Sequence, residues 1–347
     1  MRRGFPRAPI VALMLLCSSA TALAEGFDVS RDDIQKFVDT MVSRHRFDRE
    51  QVTALLASAQ PQPGILEAIQ RPAERTLAWW EYRQRFITPE RIERGVQVWR
   101  EHADDLARIA AQSGVPAEYL IAITGVETFY GRITGRYRVI DSLATLGFDY
   151  PPRGEFFRKE LEQFLMMARE ERLDPREPLG SYAGAMGIPQ FMPSSFRRFA
   201  VDGTGDGHRN LWEEGADVFA SVGNYLREHG WRAGQPVLAD ASIEMPVDDP
   251  ANFKLSLSES VASLRERGYM FESTLPGQAK AMLVPAQQPD AVQWRVGFQN
   301  FYAITRYNRS PLYAMAVYEL AGEIAARFRA APLAAQPAAA SAGALAR

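Results

Sequence analysis

The sequence predicts a mainly α-helical chain of the α+β class, on three observations. Apolar residues recur at helical spacing behind capping signals from Ser30 to Gly114, and again near the C-terminal end. Strand-like alternation is confined to one stretch, Val237 to Phe298. An apolar content of 46% over 347 residues is enough to bury a substantial core. The 40 basic and 42 acidic residues nearly balance, so the chain is neither a disordered polyelectrolyte nor a polybasic nucleic-acid binder. No fixed-period repeat is visible.

Residues 1–24 are set apart as a signal peptide. Arg2, Arg3 and Arg7 precede an apolar run from Ile10 to Leu16, and the small-residue sequence Ala22-Leu23-Ala24 places cleavage before Glu25. The run is too short to span a bilayer comfortably. Its removal takes three arginines and no acid, leaving an acidic chain that disfavours a nucleic-acid partner. The only cysteine, Cys17, leaves with it, so the mature protein is expected to have no disulfide, thiolate metal site or cysteine nucleophile. Cys17 is also where a lipid anchor would attach, but Leu16 precedes it where a small residue is expected. A soluble exported protein is therefore the first expectation and lipid anchoring the rival.

The elements follow in order. An N-terminal helical domain is expected over 25–114. Ser30 with Asp33 makes a capping-box-like start before Ile34, Phe37, Val38 and Met41, and Asp48 with Gln51 does the same before Val52, Leu55 and Leu56. A longer helix is expected from Thr88-Pro89 through Ile92, Val96, Trp99, Leu106 and Ile109 to Gly114. A second domain, 115–235, has helical patches broken by loops at Asp149-Tyr150-Pro151-Pro152 and from Asp202 to Asn210. A small strand-rich subdomain is expected over 236–298, where Phe253, Leu255 and Leu257, then Val292, Trp294 and Val296, alternate with polar residues. Over 299–329, Ser310-Pro311 opens a helix with Tyr313, Val317, Leu320 and Ile324 on one face. The Ala/Pro-rich tail 330–347 is expected to be disordered.

One acid stands out. In the helix expected after Pro116, Leu120 and Ile123 mark the apolar stripe, and four residues past Ile123 lies Glu127, which is thus expected to face inward among Val126, Phe129 and Tyr130. Desolvation would raise its pKa and let it donate a proton near neutral pH, as the glutamate of lysozyme does in an apolar pocket. On periodicity alone the commoner reading is structural: a glutamate paired with a buried arginine, or capping a neighbouring helix. For a two-carboxylate hydrolase a partner acid is required across the scissile bond. Asp141, Asp149 and Glu155 are the next acids after it in sequence, Asp141 reading rather as a helix cap.

Longer blocks change that balance. Gly125-Val-Glu-Thr-Phe-Tyr-Gly131, Val139 to Leu146, Phe148-Asp-Tyr-Pro151, Ser181-Tyr-Ala-Gly-Ala-Met-Gly187 and Gln190-Phe-Met-Pro-Ser-Ser195 together resemble the lytic transglycosylase B family of peptidoglycan-cleaving enzymes. The resemblance continues through Asp202 to Trp212, Asn224-Tyr225, His229-Gly-Trp231 and Asn300 to Ser310. It implies a lysozyme-like catalytic core over 115–235, with Glu127 as the lone catalytic acid and base. That residue would protonate the glycosidic oxygen between N-acetylmuramic acid and N-acetylglucosamine, then take a proton from the muramic C6 hydroxyl as it attacks C1, giving a 1,6-anhydro end.

The resemblance also places Ser181 and Gln190 beside that acid, although Ser181 reads equally as a helix N-cap. Gly184 and Gly187 would allow close backbone approach there. Phe191 and Met192 would form an apolar wall, with core packing the alternative for Met192. Tyr82, Tyr225, Tyr307 and Tyr313, with Asn308, match sugar-binding positions, each tyrosine being equally readable as core. Arg153 would meet a carboxylate of the lactyl group or peptide stem, though Pro152 stands where the family can show a second arginine. The implied setting is the periplasm of a Gram-negative bacterium, with glycan strands as partner and cell-wall synthesis or divisome proteins as further partners. A muramidase and a noncatalytic wall-binding scaffold are the competing readings.

The loop Asp202-Gly-Thr-Gly-Asp-Gly-His-Arg-Asn-Leu-Trp-Glu213 offers calcium ligands: Asp202, Thr204, Asp206 and Glu213 at positions one, three, five and twelve, and the His208 carbonyl at seven. The family implies a later aspartate closing such a loop, so Asp217 competes with Glu213. The bland alternative is a solvated Asp/Gly turn. A phosphate loop is discounted because no Gly-Lys-Ser/Thr follows and no strand signal precedes. No organic cofactor is expected, and His45, His102, His208 and His229 lack zinc-like spacing.

Overall fold

The computed structural model describes residues 26–70, 77–213, 215–244 and 248–330. The expected signal peptide with Cys17, and the tail past Ala330, lie outside the described residues. Three helices come first: α1 (Asp32–His45), α2 (Arg49–Ser58) and α3 (Pro63–Gln70). α1 buries Ile34, Phe37, Val38 and Met41, as their spacing predicts. Its start differs from expectation. Arg31 precedes the helix without a side-chain cap, and the Ser30 hydroxyl turns back to donate to Asp28 at 2.6 Å, a local bond that outcompetes capping. Asp48 does cap α2, accepting from the Gln51 N–H.

After α4 (Trp79–Phe86), the single long helix expected up to Gly114 proves to be two, α5 (Pro89–Glu101) and α6 (Ala103–Ser113). Thr88 caps the first and a left-handed Gly114 (φ 71°) ends the second, but His102 at φ −120° breaks the ladder between them. Both halves touch α7 (Ala117–Thr128), but α5 packs chiefly on α14 (Pro311–Ala330) and α6 on α11 (Ala216–Glu228). An apolar stripe that continues through the break looks the same in sequence as one unbroken face.

Between α7 and α11 lie α8 (Val139–Asp149), α9 (Gly154–Glu171) and α10 (Pro193–Phe199), with a two-stranded antiparallel ribbon of β1 (Tyr137–Arg138) and β2 (Leu179–Gly180). The strand-rich part is an antiparallel sheet in the order β4-β6-β7-β3-β5, built from β3 (Leu238–Ser242), β4 (Glu259–Ser260), β5 (Met270–Phe271), β6 (Lys280–Gln287) and β7 (Val292–Gly297), with α12 (Val261–Glu266) packed on it. The alternation at Val292, Trp294 and Val296 lies on β7. That at Phe253, Leu255 and Leu257 makes no strand. This stretch is irregular and lays its apolar side chains on the helical core, which supplies a surface for every second residue without a ladder. α13 (Gln299–Thr305) leads to α14, whose first turn is capped by the Ser310 hydroxyl accepting from Tyr313 N–H at 3.3 Å.

Three apolar clusters result. The largest joins α4 to α7, α13, α14 and one face of β6; the second joins α1 to α3 with α8 to α10; the third lies between the sheet and α12. The segment expected as one N-terminal helical unit thus contributes to two clusters. α11 lies between them, Phe219, Val222 and Leu226 facing the first, Val218 and Tyr225 the second. Asp141 fastens the second cluster together. It is 4% exposed and accepts from Gln60 N–H (2.9 Å) and from two nitrogens of Arg138 (both 2.8 Å), an ion-pair hub rather than the helix cap expected. Among the described residues no helix is long and apolar enough to cross a membrane.

Candidate active site

α7 is buried along most of its length; Glu118 and Tyr119 in its first turn and Glu127 in its last are half-buried. The Tyr313 hydroxyl, from the first turn of α14, donates to Glu127 Oε1 at 2.7 Å. The ring of Tyr307 lies 6.4 Å from that of Tyr313, nearly parallel at 13°. Tyr225 follows at 4.6 Å from Tyr307, and Phe191 packs on both at 5.5 and 5.8 Å. An aromatic wall therefore runs from Glu127 across the seam between the two helical clusters. Burial, and then the Glu127 charge, push the Tyr307 and Tyr313 phenols well above their usual range. Tyr225 is pushed up to about 12, chiefly by burial. All three remain protonated near neutral pH, so Tyr313 is a permanent donor.

Helical periodicity assumed that the helix continued past Glu127, but α7 ends at Thr128, and Phe129 and Tyr130 are left-handed (φ 52° and 58°). Phe129 lies beneath the guanidinium groups of Arg91 (4.6 Å) and Arg132 (4.9 Å), and the Tyr130 hydroxyl donates to Arg91 O at 2.8 Å. Sequence reasoning overlooked Thr128. Its hydroxyl donates to Ile188 O (2.9 Å) and accepts from Gly131 N–H (3.0 Å), tying the end of α7 to the 187–191 loop. The only sequence signal was its place beside Glu127.

The other expected site residues do more structural work than the resemblance implied. Tyr225 donates to Arg306 O (2.7 Å) and Tyr307 to Pro189 O (2.8 Å), so both hydroxyls fasten backbone turns. Gln190, itself left-handed at φ 51°, commits its amide nitrogen to Gly187 O (2.9 Å) and Thr134 O (3.0 Å). Gly187 (φ 66°) must be glycine there, since a Cβ would lie 2.3 Å from Leu211 O. Ser181 starts no helix: its oxygen accepts from Ala183 and Ala185 N–H (3.3 and 3.0 Å) and closes a turn. Tyr82 is enclosed at 1% exposure against Phe86, and Phe191 at 2%, so neither offers an open ring face. Met192 packs on the second cluster, and Asn308 lies in the turn before α14, where its carbonyl accepts from Ser310 N–H (2.7 Å). Arg153 stands exposed over Phe156 (4.4 Å) and Phe157 (5.0 Å), apart from the Glu127 contacts.

The three acids weighed as hydrolytic partners are engaged elsewhere. Asp141 binds Arg138, Asp149 binds Arg31 (2.7 Å) and Glu155 binds Lys159 (2.7 Å).

In the 202–213 loop, Asp202 accepts from Gly205, Asp206 and Gly207 N–H (2.6, 3.2 and 2.8 Å) and from the Thr204 hydroxyl (3.1 Å). These bonds hold its carboxyl below the usual range. Asp206 accepts from His208 N–H (2.8 Å). Asp217, buried at the start of α11, closes the loop by accepting from Gly203, Thr204 and Asn210 N–H (2.8, 2.9 and 2.7 Å), whereas Glu213 is exposed. Geometry thus favours Asp217 as the closing acid. Among the described residues no three His, Cys, Asp or Glu side chains converge at metal distance.

Fold and site together define a glycan-cleaving enzyme of the lysozyme-like class, a reading that comparison with known proteins sharpens. Residues 30–322 match the family described as Transglycosylase SLT domain, and the chain belongs to that family. It is 42% identical over 300 residues to membrane-bound lytic murein transglycosylase B of Escherichia coli K12, spanning 84% of this chain and 82% of the relative. The crystal structure of the soluble lytic transglycosylase SltB1 from Pseudomonas aeruginosa matches with TM-score 0.80 at 50% identity, over 85% of this chain and 99% of that one. The Escherichia coli lytic transglycosylase Slt35 in complex with calcium matches with TM-score 0.80 at 39% identity, over 90% and 98%. The chain is a peptidoglycan lytic transglycosylase.

Proposed function

We propose that Glu127 carries out both proton transfers of the reaction, and that the chain acts on glycan strands of peptidoglycan in the periplasm after its signal peptide is removed. The observation that carries this reading is the 2.7 Å hydrogen bond from Tyr313 to Glu127 at the seam of the two helical clusters. Protonated Glu127 gives its proton to the glycosidic oxygen as the bond to C1 of N-acetylmuramic acid breaks. The carboxylate so formed takes the proton of the C6 hydroxyl as that oxygen bonds to C1. No water is consumed, and the glutamate returns to its starting state. A donor on one carboxyl oxygen stabilises the anion between the two transfers and fixes the direction of the group. Tyr307 and Tyr225, which continue the aromatic wall beyond Tyr313, are assigned to the sugar rings, and the exposed Arg153 to a carboxylate of the peptide stem. The catalytic core is assigned to 115–235, completed by the 299–329 segment that brings in Tyr307 and Tyr313.

Calcium is assigned a bracing role in the 202–217 loop. Asp202, Thr204 and Asp206, the His208 carbonyl and Asp217 are the all-oxygen set that a hard cation prefers. It would add rigidity beside the second cluster and takes no part in the proton transfers.

The test is product analysis of digested sacculi. Wild type is expected to yield ends lighter by one water than hydrolysis gives, and Glu127→Gln to bind sacculi but release almost nothing. Hydrated ends from wild type would mean a muramidase; full turnover by Glu127→Gln would remove the residue from its role.

A further inference from the structure

Arg91 lies in the first turn of α5, yet it grips the chain on both sides of Glu127. Its Nε donates to Gly125 O at 3.0 Å, two residues before the glutamate. Two residues after it, the Phe129 ring lies 4.6 Å from the guanidinium, and Tyr130 donates its hydroxyl to the Arg91 carbonyl at 2.8 Å. The Nη1 group donates to Arg85 O (2.6 Å) and Phe86 O (3.2 Å) at the end of α4, so the same side chain anchors this grip to a second helix. Among the described residues Arg91 forms no ion pair, and burial pulls its pKa below the usual guanidinium range. A desolvated cation that relies on carbonyls is costly to keep. Here it neutralises the carbonyl ends of α4 and α7.

The turn it holds is strained. Two consecutive residues with side chains, Phe129 and Tyr130, are left-handed, followed by Gly131 at φ 85°. The Tyr130 hydroxyl threads between α5 and α7, where a Cβ on Gly95 or Gly125 would lie 2.5 or 2.7 Å from it. Two glycines on facing helices thus admit the hydroxyl that completes the grip.

We propose that Arg91 and Tyr130 are positioning residues that lock the 129–131 turn, and through it set the Glu127 carboxyl against Tyr313. The inference rests on the reading of Glu127 as the acid and base. Neither residue touches substrate; each acts by denying α7 the freedom to let its last turn drift, a displacement that at about 1 Å can cost about a hundredfold in rate.

The test compares wild type, Tyr130→Phe, Arg91→Lys and Glu127→Gln on purified glycan strands, with thermal melts and pH–rate profiles. Tyr130→Phe keeps the ring and is expected to lose about tenfold in kcat with KM within about twofold. Arg91→Lys keeps the charge but not the planar fork that spans three carbonyls, and is expected to lose about a hundredfold. In both, the decline of rate at high pH should move upward, as it would if Tyr313 no longer reached Glu127. The proposal is overturned by kcat within about twofold of wild type, or by a loss that follows the unfolded fraction with an unmoved pH profile. Should Arg91→Lys fail to fold, Tyr130→Phe decides alone. Active Glu127→Gln would refute the catalytic assignment itself; inactive Glu127→Gln beside fully active variants would refute only the positioning role.

Discussion

Replacing Tyr313 by phenylalanine removes one oxygen from the site and leaves the ring that packs beneath α7. The lost bond is a hydrogen bond to a group that is charged during the reaction, 2.7 Å long and made by a side chain only 2% exposed. Such bonds contribute roughly 1.5–3 kcal/mol, and about 1.4 kcal/mol corresponds to one pH unit. The direction follows from which form the donor favours. The hydroxyl favours the carboxylate, so its loss favours the protonated acid, and the acid form persists to higher pH. Because the first step needs that acid form, the decline of kcat/KM at high pH should move upward by about one to two units. The second half of the reaction needs the anion, so kcat on the plateau should fall at least about tenfold. Substrate-saturation kinetics between pH 4 and 9, values on the order of the usual assay range, supply both readouts. A limb that stays within about 0.3 unit of wild type, in a variant that melts normally, refutes the claim that this hydroxyl governs Glu127.

Two further predictions concern stability. Asp141→Ala removes the carboxylate that accepts from Gln60 N–H and from two nitrogens of Arg138, whose guanidinium keeps its bond to Ser58 O. Arg138 keeps 29% side-chain exposure, so the loss should sit at the lower end of the range for a broken buried pair, about 3 kcal/mol, read from the urea midpoint; a shift below about 1 kcal/mol would show that the hub is dispensable. In the 202–217 loop, calcium at a hundredfold excess over its Kd should add about 2.7 kcal/mol, a rise of a few degrees in Tm that chelator reverses. Asp217→Ala should abolish that response and also cost about 3 kcal/mol on its own, because three backbone N–H groups lose their acceptor. A melt indifferent to both calcium and chelator would leave the loop a plain hydrogen-bonded turn.

Much of the helical framework was legible because its cause is local. Asp48 and Thr88 cap the helices that their spacing announces, Gly114 ends one, and Ser310-Pro311 opens the last. Errors arose where a local pattern had two tertiary solutions. Ser30 had Asp28 as a nearer partner than a helix end. His102 interrupts a stripe that reads as continuous. Phe253, Leu255 and Leu257 alternate against helices instead of within a sheet. At the site, Tyr313, Tyr307, Tyr225 and Phe191 line up beside Glu127, whereas Tyr82 is enclosed and Arg153 lies over Phe156 and Phe157, and this division of labour was hidden in the sequence. Tyr225 and Tyr307 spend their hydroxyls on backbone carbonyls, while Tyr313 donates to the glutamate.

The sequence by itself determined that Glu127 ends a buried helix, since burial at helical period is a property of neighbouring residues in the chain. Only the folded chain decided what faces that acid. Tyr313 lies 186 residues away, delivered by a helix that packs on α7, and the chain past Thr128 turns left-handed at Phe129 and Tyr130 instead of continuing the helix. Hydrogen bonds depend on separation in space to within tenths of an ångström, and no periodicity along the chain encodes distances of that kind between elements so far apart.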